Sequence, residues 1–300
     1  MLKEKAGIER IKKLYVQLLY RCNFNCEHCF HGERLLWNDS FSLKEARNLL
    51  ATFQNNYGIT TVTFLGGEPF LYRNITDIIR YAKQLGLRTE VCTNGYRIAR
   101  KLRESAREID NLHVSLEGLE KTNDRIRHSG SFTAALETLD VAQSLGVYAS
   151  VTMTVNAKNF REVIPLTNVV ASHGAKEMKL HCLRIVGNVL THRDLIVQDI
   201  NIYENLVREI LDNRGFLPIP ILLDEDLDPQ CSLVEENRRV QEELERIEVQ
   251  PRGELYISCK AVGADSNAFV YDKKTDQILY QPKIGNELER QIPQVRYAKF

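Results

Sequence analysis

The chain has 300 residues, 43% of them hydrophobic and 27% charged, enough for one large domain or a large and a small one in an ordinary globular protein. Its 40 basic and 40 acidic residues cancel, so the molecule as a whole has no electrostatic case for binding nucleic acid or an anionic membrane. No apolar run approaches the ~20 residues that span a bilayer, and the charged start MLKEKAGIERIKK has no apolar signal core, which reads as a cytoplasmic chain.

Short β-rich runs then alternate with amphipathic helical runs. KLYVQLLYR (13–21) reads as a buried strand. SLKEARNLLATFQNN (42–56) puts Leu43, Ala46, Leu49, Leu50 and Phe53 on one helical face, with Ser42 and Glu45 as a capping box. Strands follow at 60–65, 88–93, 111–116, 148–155 and 177–184, and helices at 75–86, 96–108, 131–146 and 160–174. Gly86 and Gly146 close two of those helices. Six strands separated by helices demand parallel pairing with right-handed crossovers. A doubly wound sheet and a curved barrel both satisfy that pattern. No Gly-rich phosphate loop follows the first strand, which disfavours a dinucleotide fold.

The last third differs. Residues 199–215 and the charged SLVEENRRVQEELERIEV (232–249) read as helices, with a proline-containing acidic loop and a short strand between them. ELYISCK (254–260), NAFVYD (267–272) and QILYQP (277–282) read as strands, the last two joined by a DKKTD hairpin turn. The expected division is 12–190 for the βα unit and 191–300 for a C-terminal extension.

The unusual residues fall at strand ends. Cys22, Cys26, Cys29 and Phe30 follow the first strand, and Gly66-Gly67-Glu68-Pro69 the second. Thr93-Asn94-Gly95 follows the third and Ser115-Leu116-Glu117-Gly118 the fourth. Asn156 follows the fifth, and Arg184 and Gly187 the sixth. In parallel βα folds that edge is where active sites form. Three thiols on one short loop are soft ligands for zinc or an iron–sulfur centre. Structural zinc takes four closed ligands, and here His28 or His31 would have to complete the set. A 4Fe–4S cluster with three protein ligands would instead keep one iron open.

The Cys22-x3-Cys26-x2-Cys29-Phe30 loop, with Gly66-Gly67-Glu68-Pro69 after the next strand, resembles the signature of the radical S-adenosylmethionine (radical SAM) superfamily over residues 13 to 190. The resemblance implies a partial (β/α)6 barrel with one 4Fe–4S cluster and S-adenosylmethionine (SAM) at the strand C-termini. It implies Cys22, Cys26 and Cys29 as cluster ligands. It implies Phe30, Gly66, Gly67, Glu68, Ser115 and Arg127 around SAM, with Asn94 and Glu117 facing the same cavity. The chemistry implied is one-electron cleavage of SAM and hydrogen abstraction from an unactivated C–H bond.

The segment from Cys259 through Gly263 to Gly285-Asn286 resembles the start of a SPASM or twitch extension, found in radical SAM enzymes that modify ribosomally made peptides. Gln281 stands where that extension's closing cysteine is expected, so no auxiliary cluster is anticipated. Cys259 is then either an inert packed thiol or a hydrogen-atom donor to a product radical. The implied substrate is a peptide, and the alternative is a small molecule such as a sugar, nucleotide or alcohol. A non-enzymatic zinc or electron-transfer module is the third reading. A flavodoxin- or ferredoxin-type electron donor is an implied partner. Only ~12 residues precede the first strand, leaving no room for a leader-recognition domain. A separate leader-peptide-binding protein would then serve a peptide substrate.

Overall fold

A computed structural model describes residues 2–224, 227, 243–256 and 269–281. After a short helix α1 (Leu2–Ala6), the chain runs through β1 (Arg10–Gln17), α2 (Leu43–Tyr57), β2 (Thr61–Leu65), α3 (Ile75–Gln84), β3 (Arg88–Thr93) and α4 (Ala99–Ser105). Next come β4 (Asn111–Ser115), α5 (Glu120–Ile126), α6 (Ser131–Ser144), β5 (Ala149–Val155), α7 (Val163–Ser172) and β6 (Met178–Cys182). The order is completed by α8 (Asn201–Asn213), β7 (Ile221–Leu223), β8 (Glu243–Val249), β9 (Leu255–Tyr256), β10 (Phe269–Asp272) and β11 (Gln277–Tyr280).

The expected partial barrel is what forms. The six βα strands pair in parallel and in sequence order, from β1 to β6. The sheet continues past both ends, in the order β7-β6-β5-β4-β3-β2-β1-β8-β9. The strand C-termini therefore share one rim. Period-two alternation sends Leu14, Val16, Val62, Phe64, Val114, Val151 and Met153 toward the helices, all at most 1% exposed. Ala46, Leu49, Leu50 and Phe53 of α2 cover part of that face. The Ser42–Glu45 capping box is present: Glu45 N donates to Ser42 Oγ at 3.2 Å and Ser42 N to Glu45 Oε2 at 2.6 Å.

Besides the short α1, two elements depart from the sequence reading. Residues 243–249 form a strand, not the end of a charged helix. Parallel pairing with β1, which sets Tyr15 opposite Glu248 and Val16 opposite Val249, decides this. Ile247 and Val249 join the outer core, while Arg246 and Glu248 fall on the other side. The helical charge spacing of EELER is overridden by the open edge of β1. Helix α5 is the second departure. Its seven residues are too few to show a periodicity. The hairpin is as expected, with Tyr271 paired to Ile278 and the Asp272 carboxylate holding Lys274 N and the Thr275 hydroxyl in the turn. Cys231, Cys259, Gly263, Gly285 and Asn286 lie outside the described residues.

If β8 belongs to the same cooperative unit as the barrel, Ile247→Ala will cost about 2–5 kcal/mol in urea unfolding. The transition will stay single. A separate, early transition confined to the C-terminal segment would show the strand to be an independent addition.

Candidate active site

The cysteine loop begins where β1 ends, and the glycine pair after β2 fastens it. Leu18 N donates to Leu65 O at 2.9 Å, Gly67 N to Leu19 O at 2.9 Å and Glu68 N to Arg21 O at 3.1 Å. These bonds extend the β1–β2 ladder into the two loops. A Cβ on Gly67 would overlap the carbonyls of Tyr20 and Arg21. Glycine is required there because two backbones touch, one residue before Cys22.

Glu68 sits beneath this contact, 1% exposed. Its Oε1 accepts from Phe70 N at 3.0 Å and the Thr93 hydroxyl at 2.9 Å, and its Oε2 from Asn94 N at 2.8 Å. Burial pushes the carboxyl up to about 7, partly offset by those donors. Glu68 thereby ties the end of β2 to the end of β3. Asn94 passes the tie onward: its Nδ2 donates to Asn23 Oδ1 at 2.8 Å and lies 3.9 Å from Cys22 Sγ.

On the far side of the loop stands Glu117, also 1% exposed. Its Oε1 pairs with Arg127 Nη2 and lies 3.2 Å from His28 Nε2, while its Oε2 accepts from Thr154 N at 2.8 Å. Burial opposes ionisation of Glu117, but His28 and Arg127 outweigh it and hold the carboxyl down at about 2. Arg127 is buried rather than a solvated helix charge, because α5 turns it inward at the helix end. The same helix receives the cysteine loop, Glu27 N donating to Ile126 O at 2.8 Å.

A fourth brace comes from after β6. Gly187 has φ +59° and a Cβ there would overlap Cys29 O. Asn188 N donates to Cys29 O at 2.9 Å, and its Nδ2 to Cys26 O at 2.9 Å and Asn25 Oδ1 at 2.8 Å. Asn188, Asn123 and Asn159 do not stand out as site residues in the sequence, whereas His28 does, as a candidate metal ligand rather than a partner of Glu117. Asn123 Oδ1 accepts from Glu117 N at 2.8 Å, and Asn159 Nδ2 donates to Glu117 O at 3.1 Å. Only Asn188 had a visible signal, its place behind Gly187 at the end of a strand. Phe30 is 37% exposed beside the His31 ring, with centroids 4.2 Å apart. Ser115 ends β4 and faces the barrel interior.

The three thiols share this braced loop, yet among the described residues no three Cys, His, Asp or Glu groups converge as they stand to hold a metal ion. Burial pushes Cys22 and Cys26 up to about 12 and raises Cys29 as well. Such thiols become thiolates when a metal binds the sulfur and displaces the proton to solvent. The surroundings fit an iron–sulfur centre with a polar companion. The ligands are soft, and the buried Arg127 Nε and His28 Nδ1 have no hydrogen-bond partner.

Below the loop, the barrel interior is polar. Glu90 accepts from the Thr63 hydroxyl at 2.9 Å and Lys13 Nζ at 3.0 Å, with His113 Nε2 at 3.4 Å. His181 Nδ1 lies 2.9 Å from Asp224 Oδ2. Gln17 and Gln250 both donate to Glu248 Oε1, at 3.0 and 2.6 Å. The amide oxygens of those two glutamines are buried without a partner. Barrels without a chamber are filled by branched apolar side chains; this one is not.

Residues 16–166 match the model of the Radical SAM superfamily. The chain is 25% identical over 288 residues to the Fe-coproporphyrin III synthase of Methanosarcina barkeri, covering 92% of this chain and 71% of that one. It is 32% identical over 185 residues to a probable GTP 3′,8-cyclase of Saccharolobus islandicus, covering 59% and 58% respectively. In fold it is similar to SuiB of Streptococcus suis, solved with SAM (TM-score 0.69, 16% identity, 88% of this chain and 64% of that one). It is also similar to anSMEcpe with bound AdoMet (TM-score 0.64, 12% identity, 86% and 77%). The chain thus spans less than two thirds of SuiB and of the cyclase. Among the described residues no helix is long and apolar enough to cross a membrane.

Glu117→Gln will leave the Arg127 guanidinium without its countercharge in a buried site, costing about 3 kcal/mol at pH 7. The native carboxyl is depressed from 4.5 to about 2, so its contribution is complete above the unfolded value and is lost as pH falls through the folded one. The gap between native and variant urea midpoints will therefore hold from neutral pH to about 4.5 and close toward pH 2. A gap independent of pH would disprove the ion-pair account.

Proposed function

Because the chain belongs to the Radical SAM superfamily, a family that uses a 4Fe–4S cluster and SAM, we propose that it cleaves SAM reductively and abstracts hydrogen from a C–H bond of a polar molecule held in the barrel. The observation that carries the substrate half of this reading is the hydrogen-bonding interior below the cysteine loop.

Cys22, Cys26 and Cys29 would hold the cluster, and the open iron would take SAM. Together the two groups supply homolytic C–S cleavage and a carbon-centred hydrogen-abstracting species. The chain's own residues do the positioning. Gly67 and Glu68 set the loop against β1 and β3. Arg127, anchored on Glu117, offers its unpaired Nε to an anionic group such as a carboxylate. Gly66, Asn94, Phe30 and Ser115 edge the same rim and complete the proposed SAM surroundings. Beneath them, the unpaired oxygens of Gln17 and Gln250 accept N–H or O–H donors of the substrate, and Lys179 and His181 face its acidic groups. Fixed donors and acceptors hold the target carbon against the abstracting centre better than mobile water does.

This wall favours a small polar substrate. The two curated relatives named above, a coproporphyrin synthase and a GTP cyclase, support it by name. A peptide substrate is the second reading, supported by the likeness in fold to SuiB, which has also been solved bound to its precursor peptide SuiA. Cys259 as a hydrogen-atom donor remains part of either proposal, as does a separate leader-binding protein for the peptide one.

Anaerobically reconstituted protein will carry about four iron and four sulfide per chain and, with dithionite, convert SAM to 5′-deoxyadenosine. Cys22→Ala, Cys26→Ala and Cys29→Ala will each abolish both. A zinc-loaded chain inert toward SAM would end the proposal. Filtrates of a cell extract below roughly 1 kDa will stimulate 5′-deoxyadenosine release, and protease treatment will not remove that stimulation. Stimulation lost on protease treatment would return the assignment to a peptide.

A further inference from the structure

Resting on that reading, we infer that the electron enters at a cation-lined cavity beside the cysteine loop, and that this cavity receives an acidic one-electron carrier protein. The cavity has a volume of about 300 Å³. Its walls are the segments that lead into the two motif loops. Leu19 and Arg21 come just before Cys22, and Leu71 to Asn74 follow shortly after Glu68. Asn38 to Phe41, from the chain leaving the cysteine loop, supply the third wall. A carrier seated there touches both flanks of the loop that holds the proposed cluster ligands. The covalent path from Arg21 to Cys22 is one peptide bond.

The charge at this place is not that of the molecule. The chain is neutral overall, but Arg21 and Arg73 are exposed in the cavity with no carboxylate partner among the described residues. Arg252 and Lys273 close the third wall, donating to Asp39 Oδ2 at 2.9 Å and Ser40 O at 3.1 Å. The acids of the neighbourhood are largely spent: Asp39 is paired with Arg252, and Glu45 caps α2 with Lys273 at 3.7 Å. Behind the wall, Lys101 donates to the carbonyls of Phe70 and Tyr72 and lies close enough to Arg21 to feel its charge.

The cations border an anchor suited to a protein partner. The Arg252 guanidinium lies 3.9 Å over the Trp37 ring, and Leu36 beside it is 82% exposed. Tryptophan and arginine around an apolar point are the composition of interface hot spots. A small anion would need the arginines alone and leave Leu36 and Trp37 unexplained. Complementary charge steers encounter and fixes orientation. In the transfer the carrier is oxidised by one electron and the cluster reduced by one, and no bond or proton moves at the docking face.

The test uses the cluster-loaded full chain. Bleaching of the cluster absorbance is followed anaerobically after mixing with reduced flavodoxin, and separately with dithionite, across a range of salt. Flavodoxin will reduce the native protein at a rate that falls steeply with salt. The double variant Arg21→Glu, Arg73→Glu will be reduced at least about tenfold more slowly at low salt and with a flattened salt dependence. Its reduction by dithionite will be unchanged. If the change at Arg21 impairs cluster loading, the single variant Arg73→Glu, on the opposite wall, will show the same selective loss. Equal flavodoxin rates for native and variant protein would overturn the inference. So would an RNA oligonucleotide that binds this face when flavodoxin does not. A native chain that dithionite itself cannot reduce would instead remove the radical SAM reading on which the inference rests.

Discussion

Two backbones in contact set the geometry of this protein. The carbonyls of Tyr20 and Arg21 press on Gly67 so closely that no side chain fits between them. That contact fixes the first residue of the cysteine loop relative to the end of β2. Every other brace adds to it: Glu68 reaches β3, Asn94 reaches Asn23, Glu117 reaches His28, and Asn188 reaches Cys26. A loop with three soft ligands must be stiff before a cluster binds, or its ordering entropy is charged against binding. Here strand ends on several sides supply the stiffness.

The two carboxylates at the rim show how environment divides similar groups. Glu68 and Glu117 are equally buried. Glu68 has hydrogen-bond donors without a charge in contact and rises to about 7, whereas Glu117 has Arg127 and His28 and falls to about 2. Glu117 therefore serves as a permanent anion that orients a cation toward the rim. Glu68, with its oxygens engaged by Phe70, Thr93 and Asn94, acts on the site through the loops it joins.

The two faces of the sheet carry opposite chemistry. The outer face is apolar and nearly wholly buried, as parallel sheets under helices require. The inner face is charged and hydrogen-bonded, at a cost in desolvation that a purely structural barrel avoids. Strand β8 extends this inner wall by Arg246 and Glu248, next to Tyr15 of β1. The amide oxygens of Gln17 and Gln250 are buried in that wall without a hydrogen-bond partner.

By itself the sequence determined the alternation of strands and helices, their parallel pairing, the capping box of α2, the hairpin turn and the placing of the unusual residues at strand ends. Those properties depend on near neighbours, through period, caps and turn residues. It could not determine that 243–249 is a strand, because the open edge of β1 that recruits it lies more than two hundred positions away. Nor could it show that Arg127 is buried against Glu117, or that Asn188 holds the carbonyls of Cys26 and Cys29. Ion pairs and side-chain-to-backbone bonds between distant segments exist only once the sheet has brought six strand ends to one rim. Tertiary structure alone decided them.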